Sequence, residues 1–157
     1  GFFLNNEMDD FASQPGTANQ FGLVQGEANA IVPGKRMLSA MAPSIVIDSR
    51  GKVLLVVGAA GGPTIITATT QVILNVIDGQ MSLADAMSAP RIHQQAWPDK
   101  LIYEKGGLLP AVADSLTAMG YDLSAVEHLA NANAVMRVAS GWEGMVEPRA
   151  TGGAMGY

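Results

Sequence analysis

The sequence predicts an α+β fold in which an antiparallel sheet carries helices as a separate layer, and three observations carry that expectation. Ser44-Ile-Val-Ile-Asp48 and Val53–Val57 are two apolar arms joined by Asp48-Ser-Arg-Gly51, a turn whose glycine readily meets a positive φ. A run long and periodic enough for a helix, Thr64 to about Asp78, follows directly on the second arm. The other strand candidates are short, and the helices between them fall in blocks of their own.

Taken in order, residues 2–5 read as a strand ending in the polar cluster Asn5 to Phe11. Residues 12–36 are rich in Gly, Asn, Gln and Pro, a connection long enough to suggest either a functional lid or an open surface loop. Both hairpin arms are nearly continuous in apolar residues, which predicts central strands covered on both faces. Gly79 is a suitable C′ residue for the first helix. Ser82 with Asp85 three residues on is a variant capping box, and that second helix should end before Pro90. Ile92 and Leu101–Tyr103 suggest short strands, and Leu109–Met119 a third helix with Pro110 early and Gly120 at its end. Ala134–Ala139 reads as a last strand, Gly141-Trp142 as a turn and the tail from Glu147 as loop.

Composition bounds the function. With 157 residues, 48% hydrophobic and 15% charged, the chain suits one folded domain with a real core. A net charge of −5 with scattered basic residues argues against nucleic acid as the main partner. No apolar run approaches a membrane span. Cysteine is absent, which removes disulfide and thiol chemistry without fixing a compartment. His93 and His128 stand far apart without a helical ligand pair, so a zinc site is not expected and no metal ligand is assigned. His93 alone has no serine in a nucleophile-elbow pattern to serve. Gly1-Phe-Phe-Leu4 opens without a starting Met or a cap, as though cut from something larger.

The chemistry-bearing pieces are three. Gly58-Ala-Ala-Gly61-Gly62-Pro63 runs from a strand into a helix N-terminus, where free N–H groups and the helix dipole favour negative charge. The competing reading is glycine needed only for tight packing. Its spacing is neither G-x-G-x-x-G nor a P-loop. Glu7, Asp9 and Asp10 form an acid cluster that suits an ammonium or a metal, or simply a soluble turn. Ser39 precedes the hairpin as a candidate hydrogen-bonding hydroxyl or a turn residue.

Their order is more specific than any one of them. Leu4-Asn-Asn-Glu7-Met8-Asp9-Asp10-Phe11, Pro33-Gly-Lys-Arg36, Leu38-Ser39, Met41-Ala-Pro43, Gly58–Gly62, Ala89-Pro-Arg91-Ile-His93 and the terminal Gly156-Tyr157 together resemble the small subunit of the γ-glutamyltranspeptidases. The resemblance covers nearly all of residues 1–157 and implies the C-terminal portion of that subunit. It further implies the αββα sandwich of the N-terminal-nucleophile hydrolases, a precursor that cleaves itself, and a threonine nucleophile exposed by the cut. No cofactor is implied. γ-Glutamyl groups of glutathione-like donors would pass through an acyl-enzyme to water, an amino acid or a peptide.

In that picture Gly61 and Gly62 supply the oxyanion hole, Glu7 and Asp10 hold the α-ammonium, and Ser39 bonds the α-carboxylate. Residues 15–26 would be the covering loop, with Phe21 at the family's aromatic position. The implied partners are the large subunit and the N-terminal segment of the small subunit, and the implied location is periplasmic or extracellular. Three departures stand out. The nucleophile segment and the large subunit lie outside residues 1–157, so this chain alone is expected to be inactive. Ala40 also replaces a second serine beside Ser39, a loss of about 1.5–3 kcal/mol for a bond to a charged acceptor. An acylase of the same fold with a glutaryl or cephalosporin preference is therefore the alternative, and a non-catalytic structural fragment the alternative from another class.

Overall fold

The structure is a computed structural model that describes residues 4–156. The hairpin forms as expected, with β1 (Ser44–Ile47) antiparallel to β2 (Val53–Ala60) and Gly51 at φ +74° in the turn. The Asp48 side chain accepts the Arg50 and Lys52 N–H groups, which closes the turn. Two further strands, β3 (Asn131–Val138) and β4 (Gly141–Met145), extend the sheet in the order β1-β2-β3-β4, antiparallel throughout.

One face of this sheet is the core. Period-two alternation turns Leu55 and Val57 of β2 and Ala132 and Ala134 of β3 inward. They meet Val72 from helix α1 (Thr64–Ile77) and Leu83 and Met87 from helix α2 (Leu83–Ser88). Leu83 and Met87 are fully buried, each contributing about 1.5–3 kcal/mol relative to exposure. α2 starts as its sequence dictates: Ser82 Oγ accepts the Asp85 N–H at 3.1 Å and donates to the Asp85 carboxylate at 2.6 Å.

The opposite face corrects the expectation of double coverage. Ile45, Val56 and Val135 sit side by side in register across three strands and are 64%, 40% and 42% exposed. β1 is an edge strand, and among the described residues no second layer lies on this face. The residues are apolar enough for burial, but the described chain supplies helices to one side only.

A smaller sheet holds β5 (Ile92–His93), β6 (Leu101–Glu104) and β7 (Leu123–Val126) in that order. β6 and β7 are parallel, and the chain crosses between them through α3 (Pro110–Ala118). Gly120, at φ +94°, closes α3 as expected.

Two local expectations need correction. Gly141 is not a turn residue but the head of β4, at φ +135°. Gly79 does not carry the positive φ after α1; Gln80 does, at +53°. Gly79 is required by contact instead, since a Cβ there would lie 2.7 Å from the Asn75 carbonyl oxygen. Half of the strand expected over residues 2–5 falls outside the described residues, and Leu4 and Asn5 are in no strand.

The stretch over 12–36 is ordered but irregular, with one 3₁₀ turn at Glu27–Asn29 and bridges Ala12–Ala30 and Ala18–Val24. Asn29, buried, ties it down.

Candidate functional site

β2 ends at Ala60 and α1 begins at Thr64, so the corner between them is Gly61, Gly62 and Pro63. The turn is tight because Gly61 and Gly62 both have positive φ, +146° and +58°. The Thr64 hydroxyl donates back to the Gly61 carbonyl at 2.8 Å and fixes the corner from the helix side. Among the described residues neither the Gly61 nor the Gly62 N–H has a hydrogen-bond acceptor. Two unpaired backbone donors at a helix N-terminus form an electropositive point.

These glycines line a cavity of about 330 Å³ together with Glu7, Asp10, Phe21 and Ala40. Met41, Ala59 and Ile65 give it an apolar wall. The acids are presented by a 3₁₀ turn, Glu7–Asp10, and Asp9 also faces the cavity. Burial, with the charges of Glu7 and Asp9 beside it, holds the Asp10 carboxyl above the usual aspartate range. The cavity thus has a donor corner suited to an oxyanion and an acid turn suited to a cation.

The sequence candidates divide accordingly. Gly61, Gly62, Glu7, Asp10, Phe21 and Ala40 share one cavity. Ser39 does not line it; its side chain is turned to the Met41 N–H, whose hydrogen bond Oγ accepts at 3.2 Å. Phe21 lies over Gly62, so that a Cβ on Gly62 would meet three atoms of its ring at 2.7–2.9 Å. Asn19 sets the ring there by accepting the Phe21 and Leu23 N–H groups. His93 is buried and both ring nitrogens are engaged, with Thr67 Oγ1 at 2.8 Å and Gln95 Oε1 at 2.7 Å. It holds β5 to α1. Among the described residues no three acid or histidine side chains gather as a metal site.

One group of residues escaped the sequence reading. Behind Gly61 stands Ala130, at φ +57°, its Cα 3.0 Å from where a Gly61 Cβ would be. This corner is held by buried charge. Glu104 accepts the Leu129 N–H at 2.7 Å, Arg91 donates to the Leu129 carbonyl at 2.9 Å, and Glu147 accepts the Ala132 N–H at 2.8 Å. Arg91 pairs with Glu147 at 2.8 Å, and Arg149 bridges Glu104 and Glu147. Every carboxylate here is paired and hydrogen-bonded, as burial requires. The Ala89-Pro-Arg91 triplet was visible in the sequence, but nothing local ties Arg91 to Glu147.

Likeness to solved structures defines the class first. The chain superposes on the Bacillus anthracis transpeptidase enzyme CapD over 99% of its length, with a TM-score of 0.70 at 17% identity. On cephalosporin acylase from Bacillus halodurans it covers 77%, with a TM-score of 0.66 at 25% identity. The fold is that of the N-terminal-nucleophile hydrolases. Helicobacter pylori γ-glutamyltranspeptidase is nearer, at a TM-score of 0.84 and 48% identity over 96% of this chain and 82% of that one.

The family model for γ-glutamyltranspeptidase matches residues 1–157, and the chain belongs to that family. Among curated relatives, the glutathione hydrolase proenzyme of Pseudomonas aeruginosa is 52% identical over 78% of this chain. That of Escherichia coli is 44% identical over 87%. The chain spans only 22% and 23% of these two relatives.

Proposed function

We propose that residues 1–157 are the C-terminal portion of the small subunit of an enzyme that transfers or hydrolyses γ-glutamyl groups of glutathione-like donors. The observation that carries this reading is the sharing of one cavity by the acceptorless Gly61 and Gly62 N–H groups and the Glu7–Asp10 acid turn. A donor bound with its α-ammonium at Glu7 and Asp10 puts its γ-carbonyl oxygen at the glycine corner. A threonine from a segment preceding this chain attacks the carbonyl carbon, and its own α-amino group takes the hydroxyl proton. The negative oxygen of the tetrahedral intermediate is held by the two glycine N–H groups. Collapse expels the protonated amine and leaves an acyl ester, which water or an amino acid then attacks.

Ser39 serves the donor's α-carboxylate after a turn of its side chain away from Met41, and the loop over 15–26 closes with Phe21 as its covering ring. The open sheet face at Ile45, Val56 and Val135 receives the missing layer from the N-terminal segment of the same precursor, with the large subunit completing the pocket. Export to the periplasm or outside the cell fits the reading. None of the described helices is long and apolar enough to cross a membrane.

Ala40 on the cavity wall takes one hydroxyl from the carboxylate side and so loosens strict γ-glutamyl specificity, which leaves an acylase of the same fold as the second reading. The full-length parent protein should be assayed with γ-glutamyl anilide and glutaryl anilide, which differ only in the α-ammonium. The first reading expects kcat/KM at least about tenfold higher for the γ-glutamyl substrate, the worth of one charge-assisted contact. Preference for the glutaryl substrate would replace it with the second.

A further inference from the structure

Asn29 lies outside the cavity, is only 5% exposed, and uses its carboxamide in two directions. Its Nδ2 donates to the carbonyl of Asp10 at 2.7 Å and also to the Gln25 side chain. Its Oδ1 accepts the N–H of Leu38 at 3.0 Å, and its backbone carbonyl accepts that of Ala12 at 3.0 Å. Asp10 belongs to the acid turn on one side of the cavity, and Leu38 leads, through Ser39, into Ala40 and Met41 on another. The segments are 19 and 9 residues away in sequence, and among the described residues no strand pairing joins Asp10 to Leu38. One planar amide therefore bridges two cavity walls that have no ladder of their own.

We infer that Asn29 is a positioning residue that sets the distance between the acid turn and the Leu38–Met41 wall, and so the fit of donors carrying an α-ammonium. This rests on the reading of Glu7 and Asp10 as the ammonium site. A buried amide with both ends paired holds its partners rigidly, because breaking either bond leaves a buried polar group unsatisfied. Subsites need their groups held to within a fraction of an ångström, and such support comes from residues that do not touch substrate. The glycine corner is anchored separately, through Thr64 and the Ala130 corner. Loosening Asn29 should thus alter donor fit and leave the chemical step alone.

The test uses the full-length parent protein, with rates expressed per active site counted from the first-turnover burst, so that unfolded or uncleaved molecules do not contribute. Asn29→Asp keeps the acceptor for Leu38 and loses the donor to Asp10. It should raise KM for γ-glutamyl anilide about tenfold with kcat within about twofold. Glutaryl anilide, which keeps the carboxylate and lacks the ammonium, should change less than about twofold. Asn29→Ala cuts both ties and should raise both KM values, the γ-glutamyl one more; it decides the matter if the aspartate variant does not fold. Equal KM changes for both substrates in Asn29→Asp, or a loss of burst with unchanged KM, would show a merely structural residue and overturn the inference. Asp10→Asn is the control: if it too fails to separate the two substrates, the ammonium reading falls and the role of Asn29 with it. Separation by Asp10→Asn without separation by Asn29→Asp overturns the role of Asn29 alone.

Discussion

Replacing Gly62 by alanine isolates the contribution of one backbone N–H. At φ +58° an alanine stands in the left-handed region, at a cost of about 1–2 kcal/mol. The larger effect is local. The new Cβ would lie 2.7–2.9 Å from three Phe21 ring atoms, closer than carbon atoms approach. The ring is 40% exposed and has room to swing outward, so part of the clash is relieved there and part by rotating the Gly62 peptide. A rotated peptide misaims its N–H. Loss of one oxyanion donor costs about 10²–10³ in kcat. In the full-length parent protein, steady-state assay of Gly62→Ala with γ-glutamyl anilide should give kcat lower by about 100-fold and KM within about threefold. Thermal melting should show a loss of only about 1–2 kcal/mol. In the double variant Phe21→Ala/Gly62→Ala the ring clash is gone, and most of the lost turnover should return. The reasoning is refuted if the single variant keeps kcat within twofold, or if turnover falls only in proportion to the number of titratable active sites.

Three further outcomes are expected. Because burial and the neighbouring Glu7 and Asp9 raise the Asp10 pKa, KM for γ-glutamyl donors should rise on acidification while the pH is still above the ordinary aspartate range. Removing one repelling charge with Glu7→Gln should move that rise to lower pH, as a pH series of KM will show. Burial pushes the Glu147 carboxyl up, but hydrogen bonds from the Ala132 N–H, Arg149 and Arg91 outweigh it and hold the pKa below the usual glutamate value. Its stabilising contribution is therefore present above the unfolded-state pKa and lost as pH falls through the folded one. Glu147→Gln should cost about 3–5 kcal/mol at neutral pH and flatten the acid limb of a stability–pH curve from denaturant melts. Thr69 is buried and, among the described residues, its hydroxyl has no hydrogen-bond partner, so Thr69→Val, similar in shape, should raise stability by about 1 kcal/mol in the same assay.

Local signals carried far in this sequence. The Asp48–Gly51 turn, the Ser82 cap and the helix after Gly62 are each decided within a few residues, and each forms where expected. β4 escaped notice because Gly-Trp-Glu-Gly-Met has a single aromatic and no β-branched residue to mark a strand; it is defined by pairing with β3. β7 is four residues long and held by its parallel neighbour. In the site, residue types and order pointed to the acids and glycines that share the cavity. What brings them together was not legible. Arg91 meets Glu147 across 56 residues, and Asn29 meets Asp10 across 19, distances over which no periodicity or cap speaks. The exposure of Ile45 and Ile47 was misjudged for the same reason, since a strand's composition records that it is to be covered but not by which segment.

That uncovered row has a thermodynamic consequence. Any segment that binds Ile45, Val56 and Val135 in the folded sheet, and not in the unfolded chain, adds its binding free energy to the unfolding free energy of residues 1–157. The stability of these residues is then a linked quantity that varies with the occupancy of one sheet face. A substitution in the covering segment would register as a change in melting temperature here, many residues away, without altering a single contact within this chain.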